Sequence, residues 1–230
     1  MTRKKNYNAI IFDMDGTIID SNGVWHDATH NFVTSKKQDV TLEELTSIQK
    51  QTRGLALIAS CTLIKNRLNL EDAVESLIEE KTGHALALYK NALTFIPGFK
   101  EFFQEVERHN LKVAIATNSE DKTLALTTET LQLDNFFGEH IYNISHVNNK
   151  YKPHPDLYLY AAQRLGISPE QCIAIEDSTH GVNAAVSAGM FCIGINTGQD
   201  KYALRHAHMI VDNYNEIDLE DLLYKKEVTQ

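Results

Sequence analysis

The sequence predicts an α/β protein: a doubly wound parallel sheet with an all-helical insert placed directly after the first strand. Three observations carry that prediction. Short apolar runs recur along the chain, each ending in polar residues, as buried parallel strands do. Between them lie helical stretches of the length a right-handed crossover needs. Residues 22–93 form a block of helical period, rich in Ala, Leu, Glu and Lys, with no proline and no convincing strand. The expected division is a core of residues 1–20 and 95–230 and a helical cap of residues 21–94.

The elements follow in order. The first strand is the run Ala9-Ile10-Ile11-Phe12, which stops at Asp13; Asp15, Gly16 and Thr17 come next. Inside the insert Val24, Ala28 and Phe32 recur at one-turn spacing, and Thr41 with Glu44 reads as a helix start with a capping acid. Asp72, Val74, Leu77 and Ile78 continue an amphipathic stretch to Tyr89. Ile96-Pro97-Gly98-Phe99 opens a further helix with proline near its first turn. Strands are then expected at 111–117, 141–145, 172–175, 191–195 and 209–211. Helices are expected at 121–131, 155–165, 179–188 and 219–224.

Composition narrows the function. A chain of 230 residues with 43% apolar and 23% charged residues is an ordinary globular protein. The net charge of −9 argues against general nucleic-acid binding, which needs a basic face, but leaves room for an anionic small substrate in one pocket. The basic start (Arg3, Lys4, Lys5) lacks the apolar stretch of a signal peptide, and no window has the length of a membrane span. Cys61, Cys172 and Cys192 are too few and too scattered for a disulfide framework or a zinc cluster. Reduced thiols in the cytoplasm are the simplest account.

Three strands end in polar clusters at one sheet edge: Asp13 with Asp15, Thr117 with Asn118, and Glu176 with Asp177. The fold does not demand that coincidence, and open α/β sheets bind ligands at this edge. Each acid alone reads equally well as a turn or a cap. Gathered together they need a cation, and hard oxygen donors suit Mg²⁺. Asp13, Asp15 and Asp177 are placed to hold one such ion, and Lys152 and Thr117 to hold a dianion such as a phosphoryl group. Asp13 is then a nucleophile or a metal ligand, and Asp15 an acid that protonates a leaving oxygen and later activates water.

The segments FDMDGT, ATNS, YKPHPD and IEDSTHGVNAAVSAGM, in that order and spacing, resemble the haloacid dehalogenase (HAD)-like superfamily of phosphohydrolases. Within it they resemble the helical-cap group of β-phosphoglucomutase and the sugar-phosphate phosphatases. The likeness covers residues 8–21 and about 95–200; the cap matches in position and helical character only. It implies a Rossmannoid core and a Mg²⁺-dependent phosphatase acting on a small phosphorylated metabolite, such as a sugar phosphate, through an aspartyl-phosphate. A phosphomutase and a non-catalytic metabolite-binding relative are the alternatives. Asp13 would be the nucleophile and a metal ligand. Asp15 would be the general acid/base, with its carbonyl on the metal. Thr117 and the Asn118 amide would bind the phosphoryl group, and Lys152 would neutralise it. Asp177 would be a metal ligand and Glu176 a ligand or a partner of one.

Two departures matter. Tyr151 stands where the family usually has glycine before the lysine, crowding the mouth of the site. Trp25 stands where the mutases carry a histidine that keeps water away, which favours a phosphatase. Trp25 serves as a sugar platform or as cap packing. Arg53, beside Gly54 in a cap loop, suits a polyhydroxyl or second anionic group, or is a surface residue. His26 and His30 share a helical face but lack a third ligand, and His206 and His208 read as a loop pair. Asp20 is expected to cap the first cap helix or to brace the linker.

Overall fold

The computed structural model describes residues 6–53 and 55–224. Six strands form one sheet: β1 (Ala9–Phe12), β2 (Lys112–Thr117), β3 (Ile141–Asn143), β4 (Cys172–Glu176), β5 (Phe191–Ile195) and β6 (Met209–Val211). Their order is β3-β2-β1-β4-β5-β6 and every neighbouring pair is parallel. The chain builds outward from β1 in one direction through β2 and β3, then resumes on its other side with β4, β5 and β6. Strand order therefore reverses between β1 and β4, where crossovers leave a crevice at the carboxyl ends.

Alternation along the strands gives the sheet two unlike faces. Ile10, Phe12, Ile115, Ile173, Ile175, Ile193 and Ile195 point to a face of large side chains. Phe99, Phe102 and Phe103 of α5 (Phe99–Arg108) pack there, with Phe12 edge-on to Phe99. Ala9, Ile11, Ala114, Ala116, Cys172, Ala174 and Cys192 form the opposite, small face. Short side chains let helices approach closely, and α8 (Asp156–Leu165) and α9 (Thr179–Ser187) occupy it. The thiols of Cys172 and Cys192 are free and buried here, and that of Cys61 in the insert.

Four helices lie between β1 and α5: α1 (Asn22–Lys36), α2 (Leu42–Thr52), α3 (Leu57–Leu68) and α4 (Val74–Ala92). They bury a cluster of their own, with Phe32, Val33, Leu45, Ile48, Cys61, Ile64 and Leu77. The Thr41 hydroxyl accepts from the Glu44 N–H at 3.1 Å, so α2 starts at the expected cap. The amphipathic stretch around residue 72 is separate from α3, which Asn69 ends in the left-handed conformation. The chain leaves and re-enters the core through paired segments: the Asp20 N–H donates to the Thr94 carbonyl and the Ile96 N–H to the Ile18 carbonyl. Asp20 thus braces the linker, while α1 starts after Ser21 with no side-chain cap.

The remaining helices are α6 (Asp121–Leu131), α7 (Asp134–Phe137) and α10 (Leu219–Tyr224). Most expected boundaries hold to within one residue, and two differences have a clear cause. β3 stops at Asn143, two residues short, because the Asn143 amide bonds Asp121 and its Oδ1 meets the Ser145 hydroxyl; a 3₁₀ turn follows. Pro97 lies outside α5, since Gly98 at φ +84° supplies the turn before the helix begins.

Candidate active site

Parallel register brings the polar strand ends together. Phe12 sits level with Ile115 on one side and Ile175 on the other, so Asp13 leaves β1 between β2 and β4. Its N–H donates to the Ile175 carbonyl at 2.9 Å. The chain then folds back on itself, with the Ile18 N–H on the Met14 carbonyl. Gly16 makes that turn possible at φ +83°, and a Cβ there would lie 2.1 Å from Asp177 Oδ2. The first acidic loop and the end of β4 are thus in close contact.

Lys152 occupies the centre. Its Nζ donates to Asp13 Oδ1 and to Glu176 Oε1, each at 2.6 Å. All three groups are buried. Burial works against the ammonium, but the carboxylates of Asp13 and Glu176 outweigh it and hold Lys152 above the usual lysine range. Asp13 is pushed up to about 8, first by burial and then by the Glu176 charge, with Lys152 pulling the other way. Asp177 is raised by burial and by its carboxylate neighbours Asp13 and Glu176. Asp13, Glu176 and Asp177 each present an oxygen within 4.8 Å of the others.

The three carboxylates are not equivalent. Glu176 Oε1 accepts from Lys152 and from the Tyr158 hydroxyl at 2.8 Å. Its Oε2 accepts from the backbone N–H of Asp177 and Ser178 and from the Ser178 hydroxyl. Gly181 in the first turn of α9 leaves room for this carboxylate, since a Cβ there would sit 1.8 Å from it. Glu176 is therefore fully occupied as an acceptor. By contrast, Asp13 Oδ2 and the Asp177 carboxylate accept no protein hydrogen bond among the described residues.

Asp15 lies one turn further along and its Oδ2 accepts from the Ser119 hydroxyl at 2.7 Å. The Ser119 N–H in turn donates to Thr117 Oγ1 at 3.1 Å. Asn118 Oδ1 accepts from the Lys152 N–H at 3.0 Å, so the loop after β2 fixes the lysine backbone. Asp13, Asp15, Thr117, Asn118, Lys152, Glu176 and Asp177 are thereby joined into one site.

The insert residues stand differently. Arg53 reaches across to the core, donating from Nη1 to the Gly198 carbonyl at 3.0 Å, and its charge lowers Asp177 against the burial that raises it. Gly54 lies outside the described residues. Trp25 is half-buried against the large-residue core, with Lys81 Nζ 6.0 Å from its ring centre. His26 and His30 are both exposed and bond separate partners, Gln49 and Asn31. His206 meets Asn183, whereas His208 accepts from the Cys192 N–H and stacks on Phe191.

Sequence reasoning missed four contributors. Ser119 holds Asp15, and Tyr158 braces the Lys152–Glu176 pair. Thr197 donates to the Gly16 carbonyl at 2.7 Å and Tyr214 to the Thr17 carbonyl at 3.0 Å. Ser119 lies inside the ATNS motif, where its hydroxyl was a readable signal. Tyr158 follows the helical period of α8 like any core residue, and Thr197 and Tyr214 carry no local signal.

Comparison with known proteins agrees with this architecture. Residues 10–195 match the family model described as haloacid dehalogenase-like hydrolase. A phosphorylated carbohydrates phosphatase of Thermotoga maritima is 26% identical over 79% of this chain and 82% of its own. Beta-phosphoglucomutase of Bacillus subtilis is 25% identical over 92% of each chain. Hexitol phosphatase B of Escherichia coli is 27% identical over 97% of this chain and its whole length. Among solved structures, beta-phosphoglucomutase from Clostridium difficile superposes with a TM-score of 0.77 at 26% identity, covering 93% of this chain and 94% of that one.

Proposed function

The chain belongs to the haloacid dehalogenase-like hydrolase family, and from that premise we propose that it is a Mg²⁺-dependent phosphatase. Its substrate in this reading is a small phosphorylated metabolite of the sugar-phosphate class, cleaved through an aspartyl-phosphate on Asp13. The observation that carries the reading is the asymmetry of Asp13. Lys152 holds one carboxylate oxygen, and Oδ2 accepts no protein hydrogen bond among the described residues. An oxygen so oriented and uncovered suits in-line attack on phosphorus.

The donor set fits the ion. Asp13, Glu176 and Asp177 lie together, and burial first, then their mutual repulsion, raises Asp13 and Asp177. Asp13 and Asp177 would hold Mg²⁺ with the Asp15 carbonyl. Glu176, with both oxygens engaged, serves Lys152 instead. When bound, the ion would neutralise charge on the carboxylates and the transferring phosphoryl group.

The chain's own residues do the rest. Asp13 attacks phosphorus while Asp15, aimed by Ser119, gives its proton to the leaving oxygen. Asp15 then takes a proton from the water that hydrolyses the acyl phosphate. Lys152 balances the charge built up beside Asp13, and Thr117 and the Asn118 amide bind the phosphoryl oxygens. The helical insert excludes bulk water and meets the leaving group through Arg53 and Trp25. No helix among the described residues is long and apolar enough to cross a membrane, and three free, buried thiols fit a reducing compartment such as the cytoplasm.

The test is phosphate release from a panel of phosphorylated metabolites with Mg²⁺, and with an aryl phosphate as a generic probe. Asp13→Asn is expected to lose activity by about a thousandfold or more. Full turnover by that variant removes Asp13 as nucleophile. The likeness to phosphomutases supports a second reading, in which a hexose 1-phosphate with a bisphosphate activator is isomerised without phosphate release.

A further inference from the structure

Tyr151 takes no part in the chemistry above, yet it sits directly before Lys152. Its hydroxyl donates to Glu120 Oε1 at 3.2 Å, and Glu120 directly follows Ser119. Each member of the pair is thus one residue from a side chain of the catalytic network. Both are half-buried. Together with the Asn118–Lys152 bond, they stitch the loop after β2 to the loop before α8.

Glu120 occupies the N-cap position of α6, but its side chain makes no cap bond. It forgoes that ordinary partner and turns to Tyr151. Its second oxygen, Oε2, accepts no protein hydrogen bond among the described residues. Helix α6, which Glu120 opens, also packs against α4 of the insert.

We propose that Tyr151 and Glu120 form a specificity rim that reads hydroxyl groups on the leaving group of the phosphate ester. The inference rests on the phosphatase reading and narrows it to esters of neutral, polyhydroxylated alcohols. The chemistry selects that class. A carboxylate accepts hydrogen bonds and repels a second anion, so Glu120 suits an alcohol O–H. Burial and the Glu120 charge push the Tyr151 phenol up to about 12, so it remains a donor and pins one carboxylate oxygen. The other oxygen is left to accept from the substrate.

The experiment compares kcat/KM for sorbitol 6-phosphate with kcat/KM for para-nitrophenyl phosphate, which has no alcohol hydroxyls. The ratio of the two is expected to fall about tenfold in Glu120→Gln and about threefold in Tyr151→Phe, where Glu120 survives but is no longer pinned. A ratio within twofold of the wild-type value in both variants overturns the rim. A higher ratio in Glu120→Gln overturns it as well. If the wild-type protein cleaves neither ester, the phosphatase reading falls, and the rim with it.

Discussion

Among the described residues two lysines are buried, Lys152 at the carboxyl edge of the sheet and Lys81 in the insert, and their charges are treated in opposite ways. Lys152 sits between Asp13 and Glu176 and over the Tyr158 ring, 4.9 Å from its centre. Lys81 in α4 also faces an aromatic ring, that of Trp25, but its Nζ bonds the Ser60 hydroxyl at 2.5 Å and has no carboxylate partner among the described residues. Burial and an aromatic neighbour are common to both, so the counter-charge makes the difference. It holds Lys152 above the ordinary lysine value, whereas burial brings Lys81 down to about 8. A fixed positive charge beside Asp13 thus depends on flanking acids.

Removing the charge at the centre has the largest expected effect. Lys152→Met leaves Asp13 and Glu176 buried without their cation. The expected cost is about 3–5 kcal/mol in urea unfolding and about a hundredfold or more in kcat. Unchanged stability would show that the two acids do not need this lysine. Loosening the support is a smaller step. Tyr158→Phe keeps the ring and removes only the hydroxyl from Glu176, and should lower kcat about tenfold with KM nearly constant. A fall in kcat/KM carried by KM alone would place Tyr158 in substrate binding instead.

The insert lysine should respond with the opposite sign. Lys81→Met removes a poorly compensated buried charge and is expected to raise stability at pH 7 by about 1–2 kcal/mol. The pH dependence follows from linkage. With a folded pKa of about 8 against the ordinary 10.5, the unfolded chain binds more protons between those values. Lys81 therefore makes stability rise with pH from about 8 to about 10.5. Subtracting the Lys81→Met curve from that of the wild type should isolate this rise. A flat difference would mean that the Lys81 pKa is the same in the folded and unfolded chain.

The contrast also explains what could be read in advance. Asp13 and Asp177 were legible because a parallel sheet delivers successive strand ends to one edge, and strand ends are visible as apolar runs stopping at acids; Lys152, in the loop before α8, was legible only through the YKPHPD segment. The division of labour among the acids was not. Glu176 and Asp177 are adjacent in sequence, but only tertiary structure gives Glu176 five donors and leaves Asp177 none among the described residues. Tyr158 and Lys81 were invisible for a shared reason: each follows the helical period of its segment, and only packing decides whether a side chain there meets a charge. In the insert the sequence indicated helices without their partners, so Arg53 on the Gly198 carbonyl could not be foreseen.

The hydrogen bonds that hold the first acidic loop have a consequence for how the protein comes into being. The Gly16 carbonyl is held by Thr197, 181 residues away, and the Thr17 carbonyl by Tyr214, 197 residues away. The segment that carries Asp13 and Asp15 is thus completed only by partners far along the chain. Contacts of such separation form late, since the intervening chain must first be ordered. A nascent chain that ends before Tyr214 holds Asp13 and Asp15 on an unfinished loop, so that loop is completed only after β6 has been made.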